Sequence, residues 1–164
     1  EVPAGQHLVA ATDTLNAGVH FTVETAASDI AYKCLAVNLS DLASMGATPR
    51  WALLSLSLPE ADPDWVRSFA AGFKSLADEH KVSLVGGDTT SGPLSVSLTA
   101  LGYIEPGRAM TRSGAREGDL IVVSGTLGGA ARVLDSLEDE PPARERHLLD
   151  RPQPRVSLGQ ALKA

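Results

Sequence analysis

The sequence predicts a mixed fold of helices and strands around one core with the start of a second, and three observations carry that reading. Apolar runs of strand character, such as "RWALLSLSLP" and "PLSVSLTALGYI", alternate irregularly with segments whose apolar residues recur at helical spacing. Glycine- and proline-containing turns separate them. The 164 residues, 43% hydrophobic and 21% charged, are enough to fill an ordinary globular core.

Taken in order, "HLVAATDT" reads as a short strand ending at Asp13, and the small residues of "NAGVHF" suit a turn. A helix follows. Ser28 is its expected N-cap, Asp29 suits the positive end of its dipole, and Ile30, Cys34, Val37 and Met45 recur until Gly46 stops it. Asn38 and Asp41, three apart, share a face of that helix. "RWALLSLSLP" is a strand ended by Pro59. Asp62 then caps a second helix with Pro63 at its first position, and Trp65, Phe69, Phe73, Leu76 and Ala77 form one apolar stripe for the core.

"VSLVGGD" reads as a buried strand that runs directly into Gly86, Gly87 and Asp88, and "PLSVSLTALGYI" as a longer alternating strand. The stretch "EPGRAMTRSGAREG" is a connection and the expected domain boundary, dividing the chain into residues 1–111 and 112–164. Beyond it "DLIVVSG" is expected to be a strand, "TLGGAARVLDSL" a helix, "EDEPPARER" a solvated loop and "SLGQALKA" a helix still in progress. A chain that starts at Glu1 and ends inside a helix is expected to be a piece of a longer one. No repeat of solenoid spacing is present.

Charge narrows the function classes. With 14 basic against 20 acidic residues the formal charge is -6, and no basic stripe offers itself to a nucleic-acid backbone or an anionic membrane. A polyphosphate ligand would arrive with metal cations. No apolar run approaches the roughly 20 residues needed to cross a bilayer, and "EVPAGQHLVA" lacks the pattern of a signal peptide, so the cytoplasm is the expected compartment. The single cysteine, Cys34, is expected to pack in the core.

Three aspartates carry the chemical argument: Asp13 after "LVAAT", Asp41 in "VNLSD" and Asp88 after "VSLVGG". Each follows an apolar segment whose burial would fix its position, as hard oxygen ligands require. Two unit charges about 4 Å apart repel by around 4 kcal/mol at an effective dielectric of 20, so such a cluster makes sense around a cation. Oxygen donors without Cys/His ligand spacing indicate magnesium. Any one of the three alone would read as a turn or cap residue. Gly86 and Gly87 add weight, because they remove side chains where backbone would approach a phosphate.

Other chemistries find less support. The Walker A lysine motif and the G-x-G-x-x-G fingerprint are absent, and "GTLGGA" is as readily a packing turn as a phosphate loop. No serine lies in a nucleophile elbow, and no protein nucleophile is expected. Among the four histidines His80 and His147 read as solvated helix-end residues, and His20, close behind Asp13, is the functional candidate.

Taken together, "ATDTLNAGVHF", "KCLAVNLSDLASMGATPRWALLSLSLP", "LVGGDTTSGPLSVSLTALG" and "AMTRSGAREGDLIVVSGTLGGAA" resemble the thiamine-monophosphate kinase family. That family belongs to an ATP-binding superfamily with aminoimidazole ribonucleotide synthetase, selenophosphate synthetase and the hydrogenase-maturation dehydratase. The resemblance implies transfer of the ATP γ-phosphoryl group to thiamine monophosphate by direct in-line attack with several magnesium ions. It assigns Asp13, Asp41 and Asp88 to those ions, with an oxygen from Thr12. It assigns Gly87, Asp88 and Arg112 to ATP, and His20 to the substrate. It further implies an α+β fold whose first domain pairs with a second copy in a homodimeric, shared β-barrel.

The departures are at the ends. The family carries a glycine-rich segment with a "GDDA"-type aspartate pair before the first strand seen here, and a second half with further ligands. Turnover is therefore expected of the whole rather than of this piece. The rival readings are a sibling reaction on the same scaffold, selenophosphate or aminoimidazole ribonucleotide synthesis, and a non-catalytic nucleotide-binding dimerisation module.

Overall fold

A computed structural model of the chain describes residues 1–137 and 143–163. Its centre is a four-stranded sheet in the order β1-β4-β2-β3, built from β1 (His7–Asn16), β2 (Thr48–Leu58), β3 (Ser83–Ser91) and β4 (Ser95–Ile104). β4 is antiparallel to both β1 and β2, whereas β2 and β3 run parallel. A parallel pair needs a crossover, and α2 (Pro63–Glu79) supplies it. The fold is α+β, a mixed sheet with flanking helices.

The strict alternation of β4 sorts the two faces. Val96, Leu98, Ala100 and Ile104 are buried, while Ser95, Ser97, Thr99, Leu101 and Tyr103 look to the other side and are only half-buried. Helix α1 (Ala27–Ser44) covers the apolar face with Ile30, Leu35, Leu39 and Leu42, all fully enclosed. Full burial of each such side chain contributes about 1.5–3 kcal/mol. Leu39→Ala, which opens a cavity as well, would cost about 2–5 kcal/mol. Asp62 caps α2 as expected, its Oδ1 accepting from the backbone N–H groups of Asp64 (2.8 Å) and Trp65 (3.3 Å). Phe69, Phe73, Leu76 and Ala77 are buried, with Trp65 stacked on Phe69 at 5.2 Å.

Past the sheet, a 3₁₀ turn (Arg112–Gly114) is followed by α3 (Gly129–Asp135), α4 (Ala143–Asp150) and α5 (Val156–Leu162). α5 lies so close to α1 that a Cβ on Gly159 would stand 2.0 Å from the Ala43 carbonyl oxygen. Gln160 Nε2 also donates to Thr48 Oγ1 at 3.2 Å. Flanked by α2 and α5, α1 is buried on more than one face, and Cys34 is enclosed as expected.

Several expectations give way to tertiary context. β1 runs on past Asp13 to Asn16, because Thr14, Leu15 and Asn16 continue its pairing with Ser97, Val96 and Ser95 of β4. α1 begins at Ala27 behind an N-cap at Ala26 without a side-chain cap, so Ser28 sits inside the first turn. "VSLVGGD" is an exposed edge strand rather than a buried one, and its glycines lie within β3 rather than after it. α2 packs against α1 and leaves β3 uncovered. "DLIVVSG" forms no strand: no neighbouring strand pairs with it among the described residues, and Ile121 is 98% exposed. Of the expected loop "EDEPPARER", residues 138–142 lie outside the described residues and the rest belongs to α4. His80, read as solvated, is largely sheltered at the end of α2, while His147 is exposed.

Candidate functional site

A cavity of about 700 Å³ opens along the free edge of β1. Val9, Ala10 and Ala11 form one wall, the end of α1 with Asp41 and Ser44 a second, and Met110 to Arg112 a third. The last wall is fixed by main chain: the Met110 N–H donates to the Met45 carbonyl at 3.2 Å, which delivers Arg112 to the cavity.

Asp41, near the end of α1, and Asp13, on β1, are close enough for the charge of one to act on the other. On β1, Val9, Ala11, Asp13 and Leu15 alternate toward the helices, so Asp13 stands on the covered face and is half-buried. Burial pushes the Asp41 carboxyl above the usual carboxylate range, the charge of Asp13 pushes it further, and Arg112 opposes both. Burial likewise raises the Cys34 thiol to about 12, with a smaller push from Asp13. Neither aspartate has an ion-pair partner in contact among the described residues.

Asp88 stands elsewhere. It lies on β3, at the other edge of the sheet, in register with Ser55, Ser97 and Thr14 on the uncovered face. There it lines a small hollow of about 100 Å³ with Ser57 and Thr90, its Oδ1 accepting from the Thr89 N–H at 2.8 Å. Gly87 beside it has φ +146°, and a Cβ there would stand 1.8 Å from the Leu54 carbonyl oxygen, so only glycine fits. Thr12 turns its hydroxyl to Thr99 Oγ1 at 2.8 Å on the uncovered face, away from the Asp13 side chain. One copy of the chain thus gathers Asp13, Asp41 and Arg112 and leaves Thr12, Gly87 and Asp88 apart. Among the described residues no three His, Cys, Asp or Glu side chains converge as a metal cluster.

Two carboxylates without a counter-ion still fit magnesium, which is commonly held by one or two carboxylates with substrate phosphates and water completing its shell. They do not make a dedicated all-protein cage.

His20 sits on the exposed loop between β1 and α1. Its Nδ1 accepts the Asn16 N–H at 3.0 Å, which leaves Nε2 as the free ring nitrogen. Its carbonyl accepts from Lys33 Nζ at 2.8 Å. Sequence reasoning missed Lys33, although a lysine interrupting the apolar run "AYKCLAV" is a readable signal, and it missed Ser44 and Met110, which carry none.

Residues 1–104, the span that closes with β4, match the family model described as AIR synthase related protein, N-terminal domain. The chain belongs to that family. Within reach of this AIR synthase related chain, the thiamine-monophosphate kinase of Salmonella typhimurium (strain LT2) is 47% identical over 171 residues, covering 99% of the chain and 52% of that protein. The crystal structure of thiamine-monophosphate kinase from Stenotrophomonas maltophilia K279a is 51% identical and superposes with a TM-score of 0.94, over 98% of this chain and 54% of that one. AaThiL complexed with AMPPCP and TMP is 32% identical with a TM-score of 0.90, over 98% and 54% of the two chains. The chain spans about half the length of the curated relatives it matches.

Proposed function

We propose that the full-length protein is a magnesium-dependent kinase that phosphorylates thiamine monophosphate with ATP. The observation that carries the reading is a cavity lined by Asp41 and Arg112 with the charge of Asp13 acting on Asp41, in a chain this similar to thiamine-monophosphate kinases. The relative crystallised with AMPPCP, an ATP analogue, and TMP supports both substrates.

On this reading a phosphate oxygen of thiamine monophosphate attacks the γ-phosphorus of ATP. The new P–O bond forms as the bond to the β–γ bridging oxygen breaks, and ADP leaves. Such a transfer needs position and charge neutralisation more than a protein nucleophile. Asp13 and Asp41 hold magnesium, which when bound neutralises charge on the transferring group. Arg112 binds phosphate oxygens of ATP, and His20 meets thiamine monophosphate. Residues 1–111 form the metal- and ATP-binding domain and residues 112–164 open a second one. The cytoplasm is the proposed compartment.

The position of Asp88 gives the proposed homodimer a reason. Both β1 and β3 present free backbone groups at the edges of the sheet, and a second copy that sets its β3 edge against the β1 edge of the first satisfies them. The same pairing sets Gly87 and Asp88 of one copy beside Thr12 and Asp13 on β1 of the other, and closes the two sheets into a barrel. Thr12, on β1 next to Asp13, offers its oxygen at that seam.

Phosphorus NMR of the full-length protein with ATP, magnesium and thiamine monophosphate tests the reading. Thiamine diphosphate and ADP are the expected products. ATP left intact with thiamine monophosphate, but consumed under conditions for selenophosphate or aminoimidazole ribonucleotide synthesis, would reassign it to a sibling reaction.

A further inference from the structure

The loop that carries His20 has few apolar anchors. Between the end of β1 and the start of α1, Phe21 and Thr25 are buried while Val19 and Val23 are more than three-quarters exposed. Its first half is tied by main chain, the Ala17 N–H donating to the Leu94 carbonyl at 3.2 Å and the Val19 and His20 N–H groups to the Asn16 carbonyl at 3.2 and 3.0 Å. Side-chain contacts from two separated elements are added to these. From α1, Lys33 Nζ donates to the His20 carbonyl at 2.8 Å. From α4, more than 120 residues along the chain, Arg146 NH2 donates to Thr22 Oγ1 at 2.8 Å and to Thr25 Oγ1 at 3.2 Å. The two threonine hydroxyls also meet each other at 3.1 Å, and Thr25 Oγ1 accepts the Thr22 N–H at 3.1 Å.

Asp150 explains why the guanidinium stays there. Its Oδ2 accepts from Arg146 Nε at 2.7 Å, its side chain is 2% exposed, and its Oδ1 is buried with no hydrogen-bond partner among the described residues. A carboxylate so enclosed is tolerated only with its cation in place. The Arg146–Asp150 pair, one turn of α4 apart, therefore forms a fixed head from which the remaining guanidinium N–H groups reach the loop. Lys33 stands within the field of the same pair, drawn by Asp150 and repelled by Arg146.

We propose that Arg146, locked by Asp150, is a positioning residue that holds the His20 loop in place from α4 through the Thr22 and Thr25 hydroxyls. The inference rests on the reading in which His20 meets thiamine monophosphate. Arg146 acts through the loop and touches neither substrate. It ties the segment after residue 111 to the substrate end of the first domain.

The test uses the full-length protein. Removing Arg146 strands Asp150 and endangers the fold, so the informative variant is Thr22→Val, which deletes the nearer of the two acceptors and leaves the charge pair intact, with Thr22→Ser as the conservative control. Hydrogen exchange of residues 17–26 reads the clamp directly, and the KM values for thiamine monophosphate and ATP read its consequence. Thr22→Val is expected to lose protection in the loop and to raise the KM for thiamine monophosphate about 5–10-fold, with the KM for ATP unchanged. Thr22→Ser is expected to restore both. Unchanged loop protection in Thr22→Val would overturn the clamp whatever the kinetics, as would equal rises in both KM values. A wild-type protein that makes no thiamine diphosphate would instead fail the kinase reading, and the exchange measurement would still judge the clamp.

Discussion

Asp13 and Gly87 stand in one cross-strand row at the two edges of the sheet, joined through Leu98 and Leu54. Asp13 looks toward the helices, and Asp88, one residue past Gly87, looks to the opposite face. Three strand spacings, about 14 Å, separate the edges. Within one copy the carboxylates therefore divide into an Asp13–Asp41 pair at the large cavity and a solitary Asp88. The chemistry argued from them follows that division.

The Asp13–Asp41 pair predicts a trade between stability and metal binding. Asp41 is raised above its unfolded value, so its favourable contribution exists below the ordinary carboxylate range and is lost as pH rises through the raised value. At pH 7 the ionised pair weakens the fold, and Asp41 also sits toward the negative C-terminal end of the α1 dipole. Asp41→Asn in chelator should raise the melting temperature at pH 7 by roughly 1–3 °C, with the gain gone near pH 3. Magnesium should stabilise the wild type and not the variant. Calorimetry at the two pH values checks both halves.

Turnover should respond in the opposite direction. Asp41→Asn is expected to lower kcat by about 10²-fold or more, a loss of the size seen when one group that stabilises transition-state charge is removed. Steady-state formation of ADP from ATP and thiamine monophosphate measures it.

The adjacent glycines of β3 should differ sharply. A Cβ on Gly87 collides with the Leu54 carbonyl oxygen and its φ is positive, so Gly87→Ala should cost about 3 kcal/mol or more. At Gly86 the nearest atom is the end of the Leu53 side chain, 3.2 Å away, which can move aside. Gly86→Ala should therefore stay within about 1 kcal/mol. Urea denaturation of the pair compares them, and equal losses would contradict the steric argument.

Cys34 predicts an alkaline weakness. With its thiol raised to about 12, its contribution is whole below the unfolded value of about 8.5 and is lost as pH rises through about 12. Between pH 8.5 and 10 the wild type should lose up to about 2 kcal/mol that Cys34→Ala does not. Urea midpoints at pH 7 and 10 separate this slope from the packing cost of the alanine. The folded thiol should also resist alkylation.

Much of this was legible from residue patterns. The stripe from Trp65 to Ala77, the Asp62 cap and the alternation of β4 are local signals, and the structure keeps them because packing reinforces them. "VSLVGGD" and "DLIVVSG" show the limit. Both are apolar and strand-like, yet burial depends on whether a helix or a neighbouring strand covers them, which no local pattern states. The aspartates were recognisable as a chemical set, but the strand order that parts Asp13 from Asp88 is a property of the topology. Arg146 was invisible for a similar reason, since its partners Thr22 and Thr25 lie more than 120 residues away.

If Asp13 and Asp88 serve one site from two copies, mutant subunits should complement each other. Full-length Asp13→Asn and Asp88→Asn subunits, co-expressed with different tags and purified as the mixed dimer, carry one site with both aspartates intact and one with neither. The expected result is roughly half of the wild-type kcat for thiamine diphosphate formation, against nearly none for either mutant homodimer. A mixed dimer no more active than the homodimers would contradict the shared site and return Asp88 to its own copy.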